Sequence, residues 1–295
     1  MSNGSDRRFL VRLLPMLWLA LFFALPFLII ARMSLSSTAV AQPPYKPVFD
    51  LAAGWQGVIE GLSQFSLDNF VTLFGDDLLW GAYLSSVRIA AMATLVTLVL
   101  GLVIALPMAR APRSRQPLLV MLVVLPFLTS FLIRAYAWIA ILKPEGLLNA
   151  ALTGLGLIQE PLAILNSETA VLIGLVYSYL PFMVLPLYAS LEKFDGSLIE
   201  AAADLGARPV ATFFLVVVPN LWPAILAGSA LVFIPAMGEV VIPDLLGGPD
   251  TLMVGRVVWN EFFANRDWPL ASAMALVLLA ILLVPILLMQ RRGRA

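Results

Sequence analysis

Six apolar runs, each long enough to cross a lipid bilayer as a helix, constrain this chain more than any other feature. They are Leu13 to Ala31, Ile89 to Ala109, Leu118 to Leu142, Thr169 to Leu191, Leu221 to Ile242 and Pro269 to Gln290. A helix rises about 1.5 Å per residue, so about 18 to 20 apolar residues match roughly 30 Å of hydrocarbon. The runs are apolar on all sides rather than along one stripe, which suits a span in lipid and not a surface helix of a soluble domain. With 61% hydrophobic and 12% charged residues and a mean hydropathy of +0.96, the chain has lipid as its main solvent. The expected fold class is all-α, a polytopic membrane bundle of six transmembrane helices.

Basic residues set the expected orientation, because Lys- and Arg-rich loops stay in the cytoplasm. Arg7, Arg8 and Arg12 precede the first run, Arg110, Arg113 and Arg115 join the second to the third, and Arg291, Arg292 and Arg294 follow the sixth. An even number of spans brings all three clusters to one side, so both termini are expected in the cytoplasm. Ala39-Val40-Ala41 has the small-x-small form of a signal-peptide cleavage site. The first run is of span length, however, and Arg32 with a polar stretch separates it from those alanines, so it is read as a retained span.

The chain has no Cys and no His, which excludes disulfides, thiolate nucleophiles, histidine bases and most zinc or haem sites; no metal site is expected. An intramembrane hydrolase would need opposed deep carboxylates or an activated nucleophile, and neither is visible. No G-x-x-x-x-G-K-[ST] loop is present, so the chain has no such device for binding nucleotide. With net charge +0 and no long basic tail, a nucleic-acid partner is not expected. A transport subunit or a membrane scaffold remains, and no enzyme.

The chain reads as one membrane domain over residues 1–295, with a core of about 85–285, an external segment at 32–84 and a cytoplasmic loop at 192–219. The Pro-rich piece Gln42 to Pro47 cannot be regular helix. Phe70 to Leu79 reads equally as an interfacial helix or as an ordered loop. Pro126, Pro181, Pro186, Pro235, Gly238 and Pro285 interrupt the spans. In lipid such breaks are tolerated where neighbouring helices or a wet cavity satisfy the freed backbone.

The loop after the fourth run carries the most informative spacing. Ser197 with Glu200 three residues on has the form of a capping box and predicts a helix from Leu198. Alanines fill its body, Gly206 suits the left-handed residue that ends a helix, and Pro209 suits the first position of the next. A short helix-turn-helix at the cytoplasmic surface is expected. Glu200-Ala201-Ala202, then Gly206, then Val216-x-Val218-Pro219 resembles the E-A-A loop of binding-protein-dependent ABC importer permeases. The family pattern is E-A-A, three residues, G, about nine residues, then I-x-L-P; the two valines here keep its aliphatic character. The resemblance implies a type I importer permease whose loop is a coupling helix seated on a separate ATPase, with Ser197, Glu200, Ala201, Ala202, Gly206 and Ala207 as coupling residues. Without it, the same stretch would read as a plain amphipathic connector.

A narrower resemblance runs through Pro126 to Trp138, Val232 to Pro249 and Glu261 to Pro269, which are similar to polyamine permeases, most of all the putrescine type. It implies putrescine import across a bacterial inner membrane, with spermidine or another small solute as the alternative. The implied partners are a second homologous permease, two ATPase subunits that hold ATP and magnesium, and a periplasmic polyamine-binding protein. No cofactor is implied in this chain. A dication leaving water needs carboxylates, carbonyl dipoles or aromatic faces. Candidates are Glu239 and Asp244 with Tyr136, Trp138, Tyr177, Tyr179 and Phe233. Glu239 falls roughly 27 Å from Leu221 at helical rise, nearer the outer face than the midplane, so it reads as an entrance residue. It reads equally as a structural partner of Arg134. Arg134 and Arg88 sit near outer span ends, where snorkelling accounts for them, and the aromatics individually suit packing or interfacial anchoring.

Overall fold

The computed structural model describes residues 13–48 and 54–292. The all-α membrane bundle expected from the apolar runs is what forms, with one short ribbon as its described strand structure. The chain divides into two compact units, one comprising the residues up to Trp80 with Val257–Val284, the other Gly81–Arg256 with the end of the last helix.

In the first unit, α1 (Leu13–Ser34) is long and apolar enough to span a membrane. It ends where the Ser34 and Ser36 hydroxyls donate back to the carbonyls of Ala31 and Arg32. The Pro-rich piece is non-helical, as expected, and closes an antiparallel ribbon of β1 (Ser37–Thr38) and β2 (Tyr45–Lys46). Ala39-Val40-Ala41 lies in its connection. Two helices follow, α2 (Gly54–Ser63) and α3 (Asp68–Gly75), and Asn69 ties α3 to the end of α1 by donating to the carbonyls of Ser34 and Ser36 at 2.8 and 2.7 Å. Phe70–Leu79 is helical on both sides of Asp76, which removes the ordered-loop reading. The Asp76 carboxylate accepts the Leu78 amide at 2.8 Å and so starts α4 (Asp77–Arg110). In this unit α13 (Trp268–Arg292) begins with Trp268 stacked on Phe262, ring centroids 4.9 Å apart.

In the second unit, α4 is 34 residues long, about 51 Å at helical rise, so it starts well before the Ile89 expected from hydropathy. The third apolar run departs most from expectation. It is not one straight helix: Gln116–Leu128 (α5) and the Phe131–Gly154 segment, made of α6 (Phe131–Leu142) and α7 (Leu147–Gly154), are bent by 88°. Pro126 cannot donate to the helix ladder, the last turn of α5 tightens to 3₁₀ geometry, and Thr129 and Ser130 are extended. The Thr129 hydroxyl and amide both donate to the Pro126 carbonyl, which leaves that group satisfied at the bend. Buried Asn149 then holds the returning loop by exchanging hydrogen bonds with the backbone of Leu162 at 3.0 and 2.8 Å.

Helix α8 (Glu168–Glu192) is capped by Ser167, whose hydroxyl accepts the Ala170 amide. Its most extensive packing is against α10 (Pro209–Met237), and α4 completes a core around Met183, Leu187, Leu221, Ile225 and Met108. Large apolar side chains such as Leu95, Val103, Leu215 and Trp222 point outward, as lipid or partner subunits permit and water does not. Past Met237 the helix stops, Gly238 to Val240 form a break, and α11 (Val241–Leu246) resumes. Helix α12 (Val254–Trp259) follows.

Candidate functional site

The loop after the fourth apolar run forms a short exposed helix, α9 (Ser197–Asp204), none of whose residues is fully buried. Its start differs from the capping box expected of Ser197 and Glu200. The Asp195 carboxylate accepts the Ser197 amide at 3.0 Å, an Asx turn that serves the first orphan donor one step earlier, so Ser197 is the first helical residue and not the cap. Hydrogen bonds from the Ser197 hydroxyl and amide hold the Asp195 carboxyl below its ordinary range.

The end of α9 is a Schellman motif. Gly206 has φ +78°, its amide donates to Ala203 and the Ala207 amide donates back to Ala202. Pro209 does begin a helix, as its position implied. That helix is no separate surface piece, however: it is the first turn of the long helix α10, which continues through a π-turn at Phe213–Val217. The extra residue per turn lets the chain re-phase its apolar face without stopping. Ile199 and Phe213 pack on the edge of the core, while Glu200, Ala201, Gly206 and Ala207 are exposed, Ala202 is half-buried, and Leu205 stands out at 89% exposure. The loop is thus a capped short helix joined through Gly206 to a long apolar helix.

A second cluster lies where α10 breaks. Glu239 sits in the break, and one of its carboxylate oxygens accepts the Val241 amide at 3.2 Å, serving a donor at the start of α11. The other accepts the hydroxyl of Tyr179 from α8. Arg134, the alternative partner, makes no ion pair with it; its guanidinium lies over the rings of Phe127 at 4.8 Å and Phe131 at 5.7 Å instead. Gly255 brings the start of α12 so close that an added Cβ would fall 2.5 Å from the Gly238 carbonyl and 2.6 Å from that of Glu239.

The other candidates separate. Trp138 and Tyr177 meet edge to face with centroids 5.3 Å apart. Asp244 is exposed and paired with Arg256 at 3.2 Å. Tyr136 is 59% exposed and Phe233 half-buried; among the described residues, neither makes a ring contact or hydrogen bond with the Glu239 pair. Arg88, rather than snorkelling alone, pairs with Glu168 in the first turn of α8.

Several contacts were not foreseen from sequence. Buried Gln116 donates to the carbonyls of Ala109 and Ala111 and accepts the Tyr188 hydroxyl, joining the α4–α5 turn to α8. Phe127 and Phe182 meet edge to face at 5.0 Å, and Phe182 lies 6.2 Å from Tyr179. Such pairs join residues tens of positions apart and have no local periodic signal.

Residues 97–292 match the family described as binding-protein-dependent transport system inner membrane component. This chain belongs to that family. Over 230 residues, 78% of this chain and 83% of the relative, it is 43% identical to the spermidine/putrescine transport system permease protein PotB of Escherichia coli (strain K12). It is 43% identical over 224 residues, 74% and 77% of the two chains, to the protein of the same name from Haemophilus influenzae (strain ATCC 51907 / DSM 11121 / KW20 / Rd). A crystal structure of a bacterial ABC transporter involved in the import of the acidic polysaccharide alginate shares the fold, with TM-score 0.69 at 18% identity, covering 98% of this chain and 96% of that one. As a permease of this family, the chain is a multi-pass inner-membrane transport component and not an enzyme.

Proposed function

We propose that this permease carries polyamine, with putrescine as its cargo, and that hydrolysis of ATP by a separate ATPase drives it through α9. The observation that carries the cargo reading is the Glu239 carboxylate, set at a helix break among apolar residues and held by Tyr179 and the Val241 amide. A carboxylate kept inside an apolar span has a large desolvation cost, which a passing organic cation would offset. The names of the relatives narrow that cation to a polyamine.

The coupling reading rests on an exposed, doubly capped helix joined by the short turn at Gly206 to a 29-residue membrane helix. ATP-driven closure of a docked ATPase pair would move such a lever as a rigid body. The full assembly in this reading holds a second homologous permease, two ATPases with ATP and magnesium, and a periplasmic binding protein, the last in keeping with the family's description as binding-protein-dependent. This chain itself holds no cofactor, and both its termini face the cytoplasm. Spermidine is the second reading, favoured because the relatives carry both polyamines in their names.

The test is uptake by the reconstituted complex with putrescine, spermidine and sulfate as competitors. ATP-dependent putrescine uptake that spermidine inhibits weakly and sulfate leaves alone is expected. Transport of an anion with no response to either polyamine overturns the cargo assignment.

A further inference from the structure

Arg134 is the feature that the proposed function leaves unused. It lies in α6, inside the third apolar run, and its Nε and Nη1 atoms are buried with no hydrogen-bond partner among the described residues. Charged groups within spans ordinarily pair or reach water, and a buried donor left unmade is costly. What Arg134 does have is two aromatic faces, Phe127 at 4.8 Å and Phe131 at 5.7 Å, both within the roughly 6 Å over which a cation is drawn to a ring.

Those rings are not isolated. Phe127 meets Phe182 edge to face at 5.0 Å, Phe182 lies 6.2 Å from Tyr179, and Tyr179 donates to Glu239. The result is an unbroken row: guanidinium, phenyl, phenyl, phenol, carboxylate. It crosses from the bend after α5 to the break after α10. Its parts, aromatic faces ending in a carboxylate, are the groups that bind an organic ammonium ion in place of water. At the far end the seat of such an ion is already taken, by the chain's own cation.

The geometry points to Arg134 as a resident cation that occupies the aromatic row at rest and must be displaced for cargo to pass. The inference deepens the organic-cation reading and rests on it. Three features fit a plug better than a structural pair. Two of its three guanidinium nitrogens lack an acceptor among the described residues, so Arg134 is held weakly. Its long side chain can swing out without moving the backbone. An ammonium group arriving at Tyr179 and Glu239 would repel it through a poorly screened interior. The resting row also has a balanced charge, one Arg against one Glu, which discourages cations from leaking through while no cargo is delivered.

The test uses the complete transporter in proteoliposomes, with labelled putrescine and, separately, labelled methylammonium, each with and without ATP. Arg134→Gln is expected to raise ATP-independent flux of both ions on the order of tenfold, the occupancy that one cation–π contact confers. Arg134→Lys keeps the charge and is expected to stay as tight as the wild type. Phe127→Leu combined with Phe131→Leu, which leaves Arg134 in place but removes its seat, is expected to leak as well; it serves as the readout if the Gln variant does not assemble. Assembled Gln or double-Leu transporters with wild-type tightness overturn the plug. So does an equal loss in the Gln and Lys variants, which marks a purely structural arginine. Absence of ATP-driven putrescine uptake by the wild type would instead sink the cargo reading, while the methylammonium leak still reports on Arg134.

Discussion

Glu239 holds its charge where the backbone has run out of helix, and this decides what its removal does. One oxygen serves the Val241 amide and the other the Tyr179 hydroxyl. Hydrogen bonds to an ionised group contribute about 1.5 to 3 kcal/mol, so Glu239→Gln is expected to lower uptake by roughly 10- to 100-fold. Gln retains an acceptor for Val241, so assembly should survive, as co-purification with the partner subunits would check; unchanged uptake would return Glu239 to a structural role. Asp195 makes a pH argument of the same kind. Its folded carboxyl is lowered by Ser197, so its contribution is present above the ordinary carboxylate range and lost as pH falls through the depressed folded value. ATPase binding to the isolated membrane complex is therefore expected to be flat from neutral pH down to the ordinary carboxylate range, with any loss from this cap confined to still lower pH. Asp195→Ala should mimic that loss at neutral pH. From sequence, Glu239 stood out because a lone carboxylate in an apolar run is conspicuous. Tyr179 as its partner did not, because sixty positions separate them in the chain and only the packing of α8 on α10 joins them. The cap was misread for a local reason: Asp195 and Ser197 are both good cap residues two positions apart, and the Asx turn of the first pre-empts the second.

At the scale of elements, glycine backbone is what the two clusters share. Gly206 at φ +78° closes α9, and a side chain there costs roughly 1 to 2 kcal/mol in the left-handed region. Gly206→Val is thus expected to fray the end of α9 and weaken ATPase co-purification about five- to thirtyfold, with the membrane bundle intact by protease resistance. Glu200→Arg, on the exposed face, should reduce ATPase binding without altering the helix; normal binding and uptake in that variant would leave the loop a mere connector. Gly255→Val tests the other cluster, since its Cβ would meet the carbonyls of Gly238 and Glu239 well inside contact distance. The break would have to open, and loss of uptake with the ATPase still bound is the expected outcome. Helices were legible in the sequence because lipid demands long apolar runs and tolerates little else. Their interruptions were not. Pro126 announced a disturbance, yet the bend of 88° falls at Thr129 and Ser130, where a hydroxyl can take up the freed carbonyl. The π-turn at Phe213–Val217 has no proline or glycine to mark it, and so two helices expected with a boundary became one.

For the whole molecule the 88° bend between α5 and α6 sets the crossing count, since a re-entrant pair returns the chain to the side it left and a broken span does not. Charge argues against a return. If the pair were re-entrant, every later loop would change side, and Arg291, Arg292 and Arg294 would lie opposite Arg110, Arg113 and Arg115. The chain has no cysteine, so single substitutions can be labelled without background. Arg113, Gln159, Lys193 and Asp250 are all exposed and follow the second, third, fourth and fifth apolar runs in turn. With a membrane-impermeant maleimide on spheroplasts, Gln159→Cys and Asp250→Cys are expected to label and Arg113→Cys and Lys193→Cys to remain dark, and inverted vesicles should reverse the pattern. A re-entrant pair gives a different signature: Arg113, Gln159 and Asp250 would label together from the cytoplasmic side, and Lys193, beside the Ser197 helix, would label from outside. That outcome would put α9 beyond reach of any cytoplasmic ATPase, so the same four cysteines test the crossing count and the coupling reading at once.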